Sequence, residues 1–135
     1  MHRIRTCLLA LLLCMIACAT AATAYGPDDL TIPASAEAIT YGTSGAGRNL
    51  MAYRFGSGKN VMVLGFALHG YEDNWNKDGG ALVYTAGQVM ESLDQNAALL
   101  ASNDWSIYVL PCMNPDGLLD GTSNQGPGRC TTRSE

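Results

Sequence analysis

The sequence predicts an α/β fold, and three stretches carry that prediction. Residues 60–68, NVMVLGFAL, are apolar without interruption after Asn60, the composition of a strand covered on both faces. Residues 81–100 place Leu82, Ala86, Val89, Leu93, Ala97 and Leu100 at spacings of 4, 3, 4, 4 and 3, which keeps them on one stripe of a helix. Residues 105–111, WSIYVLP, read as a second strand. Strand, helix and strand in that order favour a right-handed parallel crossover, with the helical stripe lying on the sheet.

The first 24 residues, MHRIRTCLLALLLCMIACATAATA, stand apart from this pattern. Arg3 and Arg5 precede an apolar stretch from Leu8 to Ala19, and the small residues Ala22, Thr23 and Ala24 follow. That is the layout of a secretory signal peptide cut after Ala24, so the mature protein is expected to be secreted or periplasmic. A membrane anchor is disfavoured, because the apolar core is about 12 residues long and a spanning helix needs about 20. MIAC loosely resembles a lipoprotein box, which leaves lipidation at Cys18 as an alternative.

Removal of the signal leaves 111 residues, enough for one small core and no second domain. The basic residues fall from 8 to 6 while all 12 acidic residues stay, so the formal charge moves from −4 to −6. An acidic chain with few aromatic residues has no electrostatic footprint for nucleic acid. Cys7, Cys14 and Cys18 leave with the signal; Cys112 and Cys130 remain, either as a disulfide in an oxidising compartment or as two buried thiols.

Along the mature chain, residues 25–38 are turn-rich, and YGTSGAGRN at 41–49 reads as a glycine-rich turn. LMAYRF at 50–55 alternates as a half-buried strand does, and GSGK at 56–59 is a tight turn. The apolar strand then delivers His69. The polar turn GYEDNWNKDGG follows, in which Asp78 is placed to cap the helix. Gly87 weakens that helix without breaking its pattern. Beyond Pro111 the chain reads as turn and loop, with NPDG a hydrogen-bonded turn whose role is shape.

The chemistry gathers at His69 and Glu72. Open α/β sheets present ligands at their strand ends. A histidine there, followed by Gly70, allows a glutamate three residues on to swing back to the same point. Imidazole and carboxylate together suit zinc if a third protein ligand leaves one position open for water. His69 is the only histidine of the mature chain, and spacing selects no third ligand among Asp73, Asp78, Asp116, Asp120 and the two cysteines. From local sequence, HGYE is therefore either a metal site or a satisfied polar turn. Arg129, in QGPGRC, is either a solvated arginine or a guanidinium brought to the cleft to pair with a carboxylate or polarise a carbonyl. Tyr71 and Trp75 read as core packing rather than substrate contacts.

Three motifs, in order and spacing, resemble the zinc carboxypeptidase family typified by pancreatic carboxypeptidase. They are GAGR before a strand, HGYE after the next, and NPDG followed at 15 residues by Arg129. The likeness covers roughly residues 38–133 and is similar to the bacterial branch, whose members include γ-D-glutamyl-diaminopimelate peptidases. It implies a mixed, mainly parallel sheet flanked by helices, with His69 and Glu72 as two of three zinc ligands and Arg129 as the group that stabilises the oxyanion. Peptide, of the cell-wall kind in that branch, is the implied substrate.

The family's later elements have no counterpart in these 135 residues. Those are a D-x-N-R motif, the second zinc histidine, a substrate-binding tyrosine and the general-base glutamate. The expectation is a truncated N-terminal part of the catalytic domain, residues 25–135, inactive by itself. The alternative is a non-catalytic binding or regulatory module derived from the same fold.

Overall fold

A computed structural model describes residues 25–70 and 79–120. The predicted signal, Tyr71, Glu72, Asp73, Trp75, Asp78, Arg129 and Cys130 lie outside the described residues. A short 3-10 turn at Pro27–Asp29 leads into β1 (Glu37–Thr43), β2 (Asn49–Phe55) and β3 (Asn60–Gly65). After these come α1 (Gly79–Gln95), α2 (Ala97–Ser102), β4 (Trp105–Leu110) and α3 (Pro115–Asp120). The four strands form one sheet in the order β1-β2-β4-β3.

The sheet is mixed, which agrees with the α/β prediction at that level. β1 pairs antiparallel with β2, β2 antiparallel with β4, and β3 parallel with β4. A parallel majority is not found among the described strands. The connection from Ser44 to Arg48 is too short for anything but a hairpin, and only the β3-to-β4 connection carries the helices a parallel crossover needs. Glu37 stands opposite Arg54 in that hairpin, and their side chains pair at 2.7 Å. The hairpin also corrects part of the reading of residues 25–38 and 41–49 as turns: residues 37–43 form β1, while 44–48 are the hairpin turn. β1 has an irregular register between Thr40 and Gly42 and half-buries only Ile39 and Gly42, so its sequence carries little hydrophobic alternation.

The expected parallel strand–helix–strand unit is present, with two changes. The predicted continuous helix breaks at Asn96, which leaves helical geometry (φ −109°, ψ 23°) while its side-chain amide donates to the Ser92 carbonyl at 2.8 Å. Asparagine competes in this way with the helical ladder. The buried line of α1 is Val83, Ala86 and Met90, flanked by half-buried Leu82, Val89 and Leu93, while Ala97 is exposed. The second change concerns β3, which among the described residues is an edge strand and not a strand covered on both faces. Val61 is 61% and Val63 60% exposed. They share a face with Ser106 and Tyr108 of β4, whereas α1 and α2 pack on the opposite face.

The main core lies on that helix-covered face: Tyr53 and Phe55 from β2, Ile107 and Val109 from β4, Ala86 and Met90 from α1, and Leu100 from α2. A second, smaller cluster of Ala67, Val83 and Cys112 sits past the ends of β3 and β4. Where only loop was predicted after Pro111, α3 forms. The Gly117 N–H donates to Asn114 Oδ1 at 2.9 Å, and Pro115 and Asp116 occupy the first turn, a common helix-start chemistry. Among the described residues, no helix is long and apolar enough to cross a membrane.

Candidate functional site

Because β3 and β4 run parallel, the segments leaving them emerge side by side, and backbone hydrogen bonds strap them together. The Phe66 N–H donates to Leu110 O (2.9 Å), and Phe66 O accepts from Met113 N–H (3.0 Å). Ala67 O accepts from both Gly70 N–H (3.2 Å) and Asn114 N–H (3.1 Å). Ala67 is held at φ 46°, a conformation that costs an alanine about 1–2 kcal/mol, and it is 1% exposed. Such strain persists only where the surroundings over-determine it.

His69 is delivered by this turn, four residues beyond the last residue of β3, and its side chain is exposed. Its neighbour Gly70 has φ 79°, and a Cβ there would run into the backbone of Asn114, Gly117 and Leu118. Gly79, the first residue of α1, presses on the other side, where a Cβ would collide with the Gly70 carbonyl oxygen. Two helices, α3 with Asn114 just before it and α1, thus pin the turn that carries the histidine. The Asn114 side-chain amide adds a hydrogen bond to the His69 carbonyl at 3.2 Å.

A second cluster joins the glycine-rich hairpin turn to α3. One Arg48 nitrogen donates to Asp116 Oδ1 and to Asp120 Oδ2, each at 2.6 Å, and the other reaches Asp120 Oδ1 at 2.9 Å. Asp116 also accepts from Ser44 Oγ at 2.8 Å and from the Ala46 N–H at 2.9 Å. Hydrogen bonding to Asp120 and then to Asp116 pushes the Arg48 pKa further up. Desolvation draws the Asp116 pKa upward, but the bonds from Arg48, Ser44 and the Ala46 N–H outweigh it and leave the carboxyl below its ordinary value.

These contacts remove two candidates for a third metal ligand, since Asp116 and Asp120 are committed to Arg48. Cys112 is 5% exposed in the small cluster with Ala67 and Val83. Asp73, Asp78 and Cys130 lie outside the described residues, as do Glu72 and Arg129. Among the described residues no group of three or more His, Cys, Asp and Glu side chains could hold a metal ion. The donor types of His69 and Glu72 nevertheless suit zinc, and His69 stands exposed at the ends of two parallel strands, where a ligand has access.

Sequence reasoning singled out His69 but gave Asn114 and Arg48 no role of their own, and it weighed Asp116 and Asp120 as third metal ligands rather than as partners of Arg48. The signals were present. Asn-Pro-Asp is a helix-start pattern, and aspartates at positions 116 and 120 are one helical turn apart, facing the same way.

No family model matches the chain. It is 48% identical over 97 residues to Bacteriocin BCN5 of Clostridium perfringens, an alignment that covers 72% of this chain and 10% of that protein. The chain therefore spans about a tenth of the length of this curated relative. Among solved structures, bovine thrombin-activatable fibrinolysis inhibitor, in complex with tick carboxypeptidase inhibitor, aligns at 20% identity and a TM-score of 0.46, covering 72% of this chain and 29% of that one.

Proposed function

We propose that the chain forms the metal-binding portion of an exported zinc peptidase, with His69 and Glu72 as two zinc ligands, Arg129 as the oxyanion-stabilising group and cell-wall peptide as substrate. The observation that supports this best is convergence. NPDG contacts a described residue of each of the other two motifs, far away in sequence: Arg48 of GAGR bonds Asp116 at 2.6 Å, and Asn114 bonds the carbonyl of His69, the first residue of HGYE, at 3.2 Å. Motifs that merely happened to be present would have no reason to touch.

Zinc, when bound, supplies a Lewis acid that polarises a carbonyl and lowers the pKa of a water. His69 contributes a neutral imidazole nitrogen to hold it, and Glu72 a carboxylate oxygen. Arg129 offers a permanently charged, planar fork to the oxygen on which negative charge develops. Besides these residues, hydrolysis requires a third zinc ligand and a general base.

The bacteriocin relative supports a second reading. There the segment is part of an exported antibacterial protein, and the site binds cell-wall peptide without cutting it. One set of assays separates the two. The native protein carrying this segment is tested for hydrolysis of a γ-D-glutamyl-diaminopimelate peptide and for retention on peptidoglycan. Both are repeated with a chelator and with His69→Ala.

On the peptidase reading, hydrolysis is chelator-sensitive, zinc co-purifies, and His69→Ala weakens zinc binding by more than the roughly 10- to 100-fold typical of losing an outer-shell partner. A polypeptide of residues 25–135 alone is expected to be inert. Hydrolysis indifferent to chelator and to His69→Ala would sink the peptidase reading; retention without hydrolysis favours the second.

A further inference from the structure

We infer that Asn114 is a positioning residue for the metal site: by holding two carbonyls of the turn around His69, it sets the direction in which the imidazole leaves the backbone. The inference rests on the reading of His69 as a zinc ligand and adds a residue to that site.

Asn114 is 7% exposed, and its hydrogen-bonding groups are engaged in two directions. Toward the turn, its backbone N–H donates to Ala67 O at 3.1 Å and its side-chain amide donates to His69 O at 3.2 Å. One residue thus grips the turn at both ends, on carbonyls two residues apart. Toward α3, its Oδ1 accepts from Gly117 N–H at 2.9 Å and its backbone oxygen from Leu118 N–H at 3.1 Å.

The two halves of the side chain depend on each other. Turning the amide over would place its oxygen against the His69 carbonyl and its NH2 against the Gly117 N–H, so both contacts would become repulsive. The amide is locked in one orientation, and the peptide plane between His69 and Gly70 is locked with it. A ligand side chain needs this restraint, because a metal tolerates little error in the angle of approach.

Asn114→Asp isolates the function. An aspartate keeps the acceptor that caps α3, since Asp and Asn cap about equally well, but it replaces the donor facing His69 O with an acceptor. Its added negative charge would by itself favour a cation, so weaker metal binding would report geometry rather than electrostatics. Asn114→Ser, which keeps a capping oxygen on a shorter side chain, removes the amide donor without adding charge.

The test uses the full chain and two readouts. Zinc affinity is measured by competition with a chromophoric chelator, and amide hydrogen exchange is followed at Gly70 and along β4. Both variants are expected to bind zinc about 10- to 100-fold more weakly. Gly70 exchange is expected to accelerate about tenfold, with β4 amides unchanged.

Unchanged Gly70 exchange would overturn the inference. So would a loosened turn with wild-type zinc affinity, and so would uniform acceleration across β4 in both variants, which would mean a merely structural role. If His69→Ala also leaves zinc affinity unchanged, the metal reading itself fails and the positioning role toward zinc falls with it. Gly70 exchange would then report separately whether Asn114 holds the turn.

Discussion

Gly70 shows how narrowly the candidate site is specified. With φ 79° and the backbone of Asn114, Gly117 and Leu118 where a Cβ would go, the position admits no side chain. Gly70→Ala is expected to destabilise the fold by more than the about 1–2 kcal/mol of left-handed backbone strain alone, because the steric clash adds to it. Urea denaturation of the two proteins reads this directly. Asp116 gives a pH signature. Its folded-state pKa lies below the unfolded value of about 3.9, so its stabilisation is fully present above that pH and is lost as pH falls through the folded value. Wild type should therefore exceed Asp116→Asn in stability at neutral pH, with the gap closing below pH ~4. A gap constant from pH 7 to 2 would contradict this. Of these residues, His69 was legible because a histidine at a strand end is chemically conspicuous. Asn114 and Arg48 were not, since their importance lies in partners more than 40 positions away.

At the scale of elements, what could be read from the sequence follows what each element buries. The strand–helix–strand unit was plain because β3 and β4 are apolar runs and α1 turns one apolar line to the sheet. β1 buries almost nothing, so its seven residues carried no period to detect. Apolar continuity also misled: the run that forms β3 says that a strand is apolar, not which of its faces is covered. The break at Asn96 was hidden because the apolar spacing runs straight through it to Leu100. The packing of α1 can be tested at Met90, which is wholly buried between β2 and β4 residues of the main core. Met90→Ala is expected to cost about 2–5 kcal/mol, whereas Tyr84→Ala on the same helix, 49% exposed, should cost much less. Equal losses in thermal or chemical denaturation would mean that α1 does not pack as described.

At the scale of the molecule, the sheet presents an edge and a face that, among the described residues, no helix covers. Val61 and Val63 lie on that face of β3, and Met62 is 42% exposed on the other. An apolar edge strand with unpaired backbone groups is a template for another strand. Residues 25–135 prepared alone are expected to associate with increasing concentration, and Val61→Lys with Val63→Lys to suppress this. Sedimentation across a hundredfold range of concentration is the check, and a monomeric wild type at every point would refute the expectation. The same reasoning locates stability. β1 draws on a cross-strand ion pair and buries little, while β2, β4 and α1 share the main core.

The contacts that α3 and Asn114 make with Arg48 and with the His69 turn also bear on the order of events as the chain emerges from a ribosome. The β1–β2 hairpin closes over a handful of residues, a fast local step. The ion pairs and the His69 turn both require α3, which ends at Asp120, so the site cannot assemble until that point of the chain has been released. A nascent chain held short of α3 carries the histidine without the Asn114 and α3 contacts that fix its turn.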